Sequence, residues 1–209
     1  MVQIAITKVI TTLNEAEAKF NLRRTEDDRF FTEWFEGLPE LTEPEKTALD
    51  RVKDRYRYHR DDGPLAEGVV NLIVVSPLLE LAGFYDTPFK LWAEESVEIA
   101  IEAEEELLRG RIDFLVIQNQ FWVVVVESKR AGFDPELAIP QTLAYMMTSP
   151  YPNKPVFSMV TNGSEFFFTK LTQQDTPQYD ISDVFSLLPR QNKLYEVLQM
   201  LKRIGQVIT

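Results

Sequence analysis

Cysteine is absent from this 209-residue sequence, and His59 is its only histidine. Disulfides, thiolate metal sites and cysteine nucleophiles are therefore excluded, and a serine–histidine triad would depend on His59 alone. His59 lies in the polar stretch Tyr56–Asp62, which is typical of an exposed loop or helix end. Any metal site must then use oxygen ligands, and magnesium and manganese prefer carboxylate, carbonyl and water oxygens.

Long hydrophobic runs are also missing. No apolar stretch approaches the roughly 18–20 residues that span a bilayer, and residues 1–13 lack the apolar core and cleavage pattern of a secretory signal. Hydrophobic residues still make up 44% of the chain and aromatic residues 11%. This composition is sufficient for one well-buried domain. We expect a cytoplasmic protein without membrane contact.

Positive charge is scarce, and the formal net charge of -11 opposes a broad electrostatic attraction to nucleic acid. The charge is unevenly distributed, because residues 63–129 contain four Lys/Arg and twelve Asp/Glu, which accounts for eight of the eleven excess charges. Seven acids lie between Glu94 and Glu106. Such a run is typical of a solvated face, although Glu94 and Glu95 also suit a metal. The charge therefore does not exclude a metal-bridged active site.

The amino-terminal segment has a helical pattern. Helix is predicted over residues 14–60 with an interruption at Leu38–Glu45, in which Thr42 and Glu45 predict a capping box. We expect residues 1–62 to form an N-terminal helical extension that packs on a core domain of residues 63–209.

Strands and helices alternate along the remainder of the chain. A helix is predicted from Leu65 to about Ala82, with a kink at Pro77 and an end at Gly83. Further predicted elements are a strand at 97–104, a hairpin at 111–129, a helix from 134, a hairpin joined by Asn162-Gly163, and a helix over 191–204. Leu137 of the helix from 134 is predicted to face the core of the domain. This order predicts an α/β fold in which a mixed β-sheet is flanked by helices.

The hairpin of residues 111–129 is the most informative stretch, because charged residues interrupt two apolar strands. A loop of about three residues is predicted to join these strands. By the two-residue period of a strand, Glu127 and Lys129 share one face, and Trp122 lies in the core on the opposite face. Asp113 on the neighbouring strand then comes nearly opposite Glu127.

Two interpretations fit this cluster. Burying Asp113 beside Glu127 is costly unless a cation or hydrogen bonds compensate the charge, and a divalent metal held by both would do so. The alternative is a buried or edge ion pair with Lys129 at a strand end. The spelling Glu-x-Lys has no weight alone, because Glu17-Ala18-Lys19 repeats it on a predicted surface helix.

A glutamine and a tyrosine follow on the next predicted helix. Gln141 and Tyr145 are four residues apart and therefore share a helix face. Gln191 and Tyr195 repeat this spacing near the end of the chain. Only the first pair directly follows the charged strand, which favours Gln141 and Tyr145 as part of the same site.

These residues together resemble a known superfamily. The residues that match the motif of PD-(D/E)XK nucleases are Asp113, Glu127, Ser128, Lys129, Gln141 and Tyr145. The stretches Gly110–Asp113, Val126–Lys129 and Thr161–Gly163 are similar to the amino-terminal nuclease domain of type I restriction enzyme R (motor) subunits and to small stand-alone cyanobacterial relatives. Ile112 stands where the superfamily name has proline. The resemblance implies a restriction-endonuclease-like fold over about residues 65–171.

The resemblance also implies a metal site. Asp113 and Glu127 would bind Mg²⁺ or Mn²⁺ together with the backbone carbonyl of Ser128. Glu67 matches an additional acidic residue of the family, which completes the metal shell directly or through water. An ordinary glutamate in the first turn of a helix is the equal alternative for Glu67.

The remaining roles are implied in the same way. Lys129 would orient or deprotonate the attacking water and stabilise charge on the phosphate, while Gln141 and Tyr145 would support the lysine and the scissile strand. Arg130 would contact a phosphate or solvate the strand end.

The expected function is that of a magnesium-dependent endodeoxyribonuclease. DNA, a second copy of the chain and restriction–modification partner subunits are the expected partners. The chain contains no Gly-x-x-x-x-Gly-Lys-Ser/Thr loop and therefore no ATP-driven motor of that type. The alternative is a catalytically weak or inactive nuclease-fold module that binds nucleic acid or protein.

Overall fold

A computed structural model describes residues 2–101 and 106–208, and within them a nine-stranded mixed β-sheet carries helices on both faces. The strands are β1 (Val2–Ala5), β2 (Arg23–Arg24), β3 (Phe89–Ile101), β4 (Glu106–Gln118), β5 (Phe121–Ser128), β6 (Val156–Thr161), β7 (Glu165–Thr172), β8 (Gln178–Ile181) and β9 (Phe185–Ser186). The helices are α1 (Ile6–Val9), α2 (Leu13–Phe20), α3 (Glu43–Arg60), α4 (Glu67–Val70), α5 (Ser76–Leu81), α6 (Ile139–Met146) and α7 (Leu194–Val207). The predicted fold class is confirmed.

The strand order is β1-β4-β5-β6-β7-β8-β2, with β3 paired to β4 and β9 paired to β7. Strands β5 and β6 are parallel, whereas β4 is antiparallel to both of its neighbours β3 and β5. The amino-terminal segment supplies two strands to this sheet, because β1 pairs in parallel with β4 and β2 pairs in parallel with β8. The division of the chain at residue 62 stays a prediction.

The prediction of helix before the interruption is wrong for residues 21–37. Asn21 adopts a left-handed conformation with φ 51° and ends α2, and β2 follows directly. The predicted capping box is confirmed at the start of α3, where the backbone N–H of Thr42 donates to Glu45 Oε2 at 2.7 Å and the Thr42 hydroxyl accepts from the Glu45 N–H.

Two apolar layers enclose the sheet. One layer joins the sheet to α3, α5 and α7 through residues such as Val52, Leu79 and Leu198. The other joins it to α1, α2 and α6, with Ile6 and Leu143 among its buried residues. Within the described ranges, no helix has both the length and the apolar character needed to cross a membrane.

Pro77 distorts its helix in the way the sequence predicts. Between α4 and α5 the chain forms a π-helical turn over Asn71–Val75. Proline lacks an N–H and its ring crowds the carbonyl four residues earlier, so the widened turn accommodates it. Gly83, with φ 82°, lies just beyond the end of α5.

Strands β4 and β5 are joined by a two-residue turn rather than by the predicted three residues. Asn119 and Gln120 form it, with φ angles of 49° and 75°. Two positive φ angles in succession characterise the type I′ turn, whose twist matches that of the flanking strands.

A β-bulge follows this turn and changes the faces of β5. Ile117 pairs with Trp122, but Val116 pairs with Val124, so Val123 is an extra residue. The predicted position of Trp122 on the face opposite Glu127 is therefore wrong. Trp122 packs in the same layer as Val125, on the side covered by α6, and it is buried as expected.

Three further elements differ in extent from the prediction. Strand β3 begins earlier than residue 97, and residues 102–104 of the predicted strand lie outside the described residues. A 3-10 turn over Pro135–Ala138 precedes α6, and Leu137 is 60% exposed rather than part of the core. Helix α7 begins at Leu194 rather than at Gln191.

Candidate active site

The neighbouring ends of β4 and β5 bring Asp113 and Glu127 together. The last paired residues are Phe114 and Val126, and Asp113 and Glu127 are the next residues on either strand. Ser128 fixes the aspartate, because its backbone N–H and its hydroxyl both donate to Asp113 Oδ2, at 2.7 and 2.8 Å. The two carboxylates converge as predicted. Ser128, the last residue of β5, links its strand to Asp113 through these two hydrogen bonds.

Glu127 is almost completely buried, with 2% of its surface exposed. Its Oε1 accepts hydrogen bonds from Lys129 Nζ and from Gln141 Nε2, the latter at 3.0 Å. Its Oε2 has no hydrogen-bond partner among the described residues. A buried carboxylate oxygen in this state is costly, since it has lost its hydration without gaining a donor.

Helix α6 brings Gln141 and Tyr145 onto the same cluster. The Gln141 amide donates to the Tyr145 hydroxyl as well as to Glu127, and both α6 residues are buried. The expected pairing of these two residues with the charged strand is thus present in the structure.

Gly110 makes room for Tyr145, a role that the sequence reasoning missed. A Cβ atom at Gly110 would lie 2.3 Å from Tyr145 Cε1 and 2.9 Å from Ile6 Cδ1, which no real contact allows. The tyrosine ring therefore packs directly on the backbone of β4, close to Asp113. The signal in the sequence was a glycine inside an apolar strand, which often marks a close approach of another group.

Thr161 and Asn162 position the backbone that follows β5, and they too were unassigned. The Lys129 N–H donates to the Thr161 carbonyl at 2.7 Å. The Asn162 side chain donates to the Phe133 carbonyl at 2.8 Å and accepts from the N–H groups of Ser164 and Glu165, each at 2.9 Å. The segment that carries Lys129 is thereby tied to the β6–β7 turn.

The cluster carries surplus negative charge. Burial and the Asp113 charge raise the pKa of Glu127 to about 8, against the opposing effect of Lys129. Burial acts to lower the pKa of Lys129, but the charges of Glu127, Asp113 and Glu67 outweigh it and raise that pKa. Burial and the Glu127 charge likewise raise the pKa of Tyr145. Each group therefore favours its protonated form, as expected where carboxylates outnumber ammonium groups.

The donor set fits a small divalent cation. Mg²⁺ is commonly held by one or two carboxylates and completes its shell with water and substrate oxygens. Asp113 and Glu127 are two such carboxylates, and Glu127 Oε2 is a buried oxygen in need of a positive partner. Among residues 2–101 and 106–208, no three Asp, Glu, His or Cys side chains gather into a fuller metal cage.

Glu67 lies in the first turn of α4 and is exposed. Partial burial of its carboxylate and the Asp113 charge raise its pKa, so Glu67 belongs to the same electrostatic cluster. Its role as a metal ligand, like that of the Ser128 carbonyl, stays a prediction.

The other charged candidates lie at the surface. Glu94 is 71% exposed and pairs with Arg111 at 3.5 Å. This ion pair and its exposure favour the interpretation of Glu94 as a solvated residue. Arg130 is exposed beside Lys129, where it remains available to a bound ligand.

Residues 90–176 match the family model described as the N terminus of the type I restriction enzyme R protein. This segment resembles that R-protein domain. It contains Asp113, Glu127, Lys129, Gln141 and Tyr145, so the similarity covers the whole cluster apart from Glu67. It covers somewhat less than half of the chain.

A solved structure is also similar, that of a fragment assigned as the HsdR subunit of a type I restriction enzyme from Vibrio vulnificus YJ016. Sequence identity is 16% and the TM-score is 0.42. The match covers 68% of this chain and 26% of that chain, so this protein spans about a quarter of the length of the matched one. No curated protein matches the sequence.

Proposed function

We propose that the protein is a nuclease that hydrolyses phosphodiester bonds in DNA with Mg²⁺ or Mn²⁺. The observation that carries the proposal is Glu127. It is a buried carboxylate with one oxygen held by Lys129 and Gln141 and the other without a partner among the described residues, and Asp113 lies just beyond the last paired residues of the neighbouring strand. The similarity of the surrounding segment to the R-protein N terminus supports the same function.

In this proposal Asp113 and Glu127 hold the ion, and the Ser128 carbonyl adds a further oxygen. A bound divalent cation would lower the pKa of its water ligand and neutralise charge on the phosphate. Ser128 keeps Asp113 in place through its two hydrogen bonds. Glu67 would act as an additional ligand through water, from its exposed position on α4.

Lys129 would orient the attacking water and donate to a phosphate oxygen. Its side chain is 20% exposed, so the ammonium can reach a ligand while Glu127 holds it. The raised pKa of Lys129 keeps it charged, which favours this orienting role over proton abstraction. Gln141 and Tyr145 act indirectly, by fixing the carboxylate that holds the lysine.

A basic helix end supports DNA as the partner in spite of the overall charge. From Arg51 to its end, α3 exposes Arg51, Arg55, Arg57 and Arg60, and none forms an ion pair among the described residues. This helix lies next to the site, since Tyr56 packs against Gly163 in the turn that follows Thr161. Arginines placed this way suit contacts with the phosphate backbone.

The alternative function is a nuclease-fold module with little turnover. The observation that favours it is the absence of a third acidic ligand gathered at the site in the described ranges. Such a module would bind nucleic acid or a protein partner without cutting.

Cleavage of linear, supercoiled and single-stranded DNA by the purified protein, with Mg²⁺ or Mn²⁺, separates these functions. Lys129→Ala is the test variant, and Lys19→Ala is the matched control because it occupies a second Glu-x-Lys sequence. Metal-dependent cutting that is lost only in Lys129→Ala supports the nuclease. DNA binding without cutting supports the binding module, and equal cutting by both variants contradicts the assigned site.

Cytoplasmic partners complete the proposal. A second copy of the chain would allow both strands to be cut, and partner subunits of a restriction system would supply an ATP-driven motor. Sedimentation equilibrium across a range of concentrations tests the homodimer, and a monomer throughout would contradict it.

A further inference from the structure

A cavity of about 600 Å³ lies at the opposite end of the β4–β5 hairpin from the carboxylates. Its walls include three aromatic side chains, one lysine and the two turn residues: Trp92, Trp122, Tyr151, Lys90, Asn119 and Gln120. Cavities of this size hold small organic ligands or single nucleotides. None of these residues has a role in the site described above.

The arrangement of three strands explains the shape of this cavity. Lys90, Ile117 and Trp122 are direct cross-strand partners on β3, β4 and β5, so they form one row across the sheet. Ile117 lies at the base of the cavity. Lys90 and Trp122 lie on the two neighbouring strands, each about 5 Å from β4. The bulge at Val123 is what turns Trp122 to the face it shares with Val125.

Gln120, the second residue of the turn beside the cavity, is conformationally unfavourable there. Gln120 has φ 75°, a region in which a residue with a Cβ is uncommon and glycine is preferred. Its side chain is nevertheless used, because Gln120 Oε1 accepts a hydrogen bond from the Tyr151 hydroxyl at 2.7 Å. A strained residue whose side chain holds one wall of a cavity is a candidate for a functional role.

The lining combines aromatic rings with one exposed lysine, which suits a flat ring that carries an anionic group. Trp92 is 45% exposed and presents an indole at the rim, next to Lys90. Glu98 also lines the cavity, but Arg109 Nη2 compensates its carboxylate at 2.7 Å. Aromatic faces that stack on bases, with a cation for the phosphate, are the combination that binds single-stranded nucleic acid.

We propose that this cavity binds a nucleobase of a single-stranded DNA segment. The base stacks on Trp92, the amides of Asn119 and Gln120 contact its polar edge, and Lys90 contacts the adjoining phosphate. Trp122 and Glu127 lie on the same side of the sheet and are separated by about 16 Å along β5. The link between this base site and cleavage rests on the proposed function, whereas base binding itself does not.

Quenching of tryptophan fluorescence tests the binding without cleavage. The probes are dAMP and a short oligodeoxythymidylate, titrated in EDTA. Saturable quenching is expected for the wild type and for Trp34→Phe, a control far from the cavity that packs against Phe35 and Phe185. Trp92→Leu is expected to weaken the oligonucleotide about tenfold or more.

Gln120→Gly gives a readout that a purely structural residue would not give. Glycine adopts positive φ without steric strain, and relief of the strain at Gln120 is expected to raise the melting temperature. It also releases Tyr151 and is expected to weaken the oligonucleotide several-fold. Higher stability combined with weaker binding supports a cavity kept for a ligand, and unchanged binding overturns that role for Gln120.

Three outcomes overturn the proposal. They are the absence of saturable quenching by either probe, an undiminished affinity in Trp92→Leu, and an affinity for free, uncharged indole that equals the affinity for dAMP. The outcome is separable from that of the proposed nuclease. Saturable quenching in EDTA by a protein that never cuts DNA would support the base site and contradict the nuclease. Metal-dependent cutting without quenching would support the nuclease and contradict the base site.

Discussion

The ion pair of Glu33 with Lys170 and that of Glu127 with Lys129 have the same chemistry but different surroundings. Both are shielded, with side-chain exposures of 10% and 15% in the first pair and 2% and 20% in the second. Lys170 also donates to the Phe30 carbonyl at 2.7 Å and lies over the ring of the same residue. It joins the amino-terminal segment to β7.

The difference lies in what each ammonium must neutralise. Both glutamates have a buried Oε2 without a hydrogen-bond partner among the described residues, so an orphaned oxygen alone does not identify a metal site. Lys129 is influenced by Asp113 and Glu67 as well as by Glu127, and the pKa of Glu127 is raised in consequence of burial and the Asp113 charge. Surplus negative charge is therefore the feature that distinguishes a candidate cation site from a structural ion pair.

The largest expected effect concerns activity. Glu127→Gln is expected to lower metal-dependent DNA cleavage about a thousandfold and to weaken Mn²⁺ binding strongly in calorimetry, because a neutral amide does not supply the charge of a carboxylate ligand. Glu33→Gln is the matched control and should retain both in the folded fraction of the protein. Loss of Mn²⁺ binding in both variants would remove the distinction between the pairs.

A second effect concerns stability. Lys170→Met leaves Glu33 buried without its cation and is expected to lower the free energy of unfolding by about 3–5 kcal/mol. Lys193→Met, which breaks a half-exposed pair with Glu196, is expected to cost less than about 1 kcal/mol. Urea denaturation of both variants measures the difference. Similar small losses would contradict a structural role for Lys170.

The third effect depends on pH. The folded-state pKa of Glu127 is raised from 4.5 to about 8, so its contribution to stability is complete below about pH 4.5 and is lost as the pH rises through 8. Without metal, Glu127→Gln is expected to be more stable than the wild type at pH 9 by about 2–3 kcal/mol. Thermal melts between pH 5 and 9, with and without Mn²⁺, measure this. A wild type that gains stability toward pH 9 without metal would contradict the raised pKa.

The smallest effect tests the site without changing its charge. Gly110→Ala pushes a methyl group into the Tyr145 ring and is expected to cost about 1–3 kcal/mol of stability and about tenfold in cleavage rate. Gly205→Ala, whose Cβ would meet Phe84 Cε1 at 3.1 Å, is the control for crowding elsewhere. Equal cleavage by both variants at a temperature where both are folded would show that Tyr145 does not position the site.

Sequence patterns were sufficient for the charged cluster and for most of the fold. The strand period and the unusual charges of Asp113, Glu127 and Lys129 predicted their convergence, because a buried strand rarely contains such residues. The helical spacing of Gln141 and Tyr145 predicted their shared face. These inferences rely on local geometry, which the sequence encodes directly.

Other features depend on tertiary contacts that periodicity does not encode. Strand β1 is four residues long and β2 only two, and each pairs with a strand far along the chain. The bulge at Val123 is one extra residue in an otherwise regular apolar run, so nothing in the run of valines marks it. Gly110 matters only because Tyr145 packs on it, and that contact links residues 35 positions apart.

The bulge also determines whether the number of positions between paired residues of β4 and β5 is odd or even, which constrains the alignment of this chain with its relatives. Across a two-residue turn, paired residues are an odd number of positions apart, as with Gln118 and Phe121 or Ile117 and Trp122. Beyond Val123 the interval becomes even, as with Phe114 and Val126, and the fourteen positions between Asp113 and Glu127 follow this parity. A relative with one residue more or fewer in this interval must change its turn or its bulge to keep the two carboxylates together. Insertions and deletions there are expected in compensating pairs.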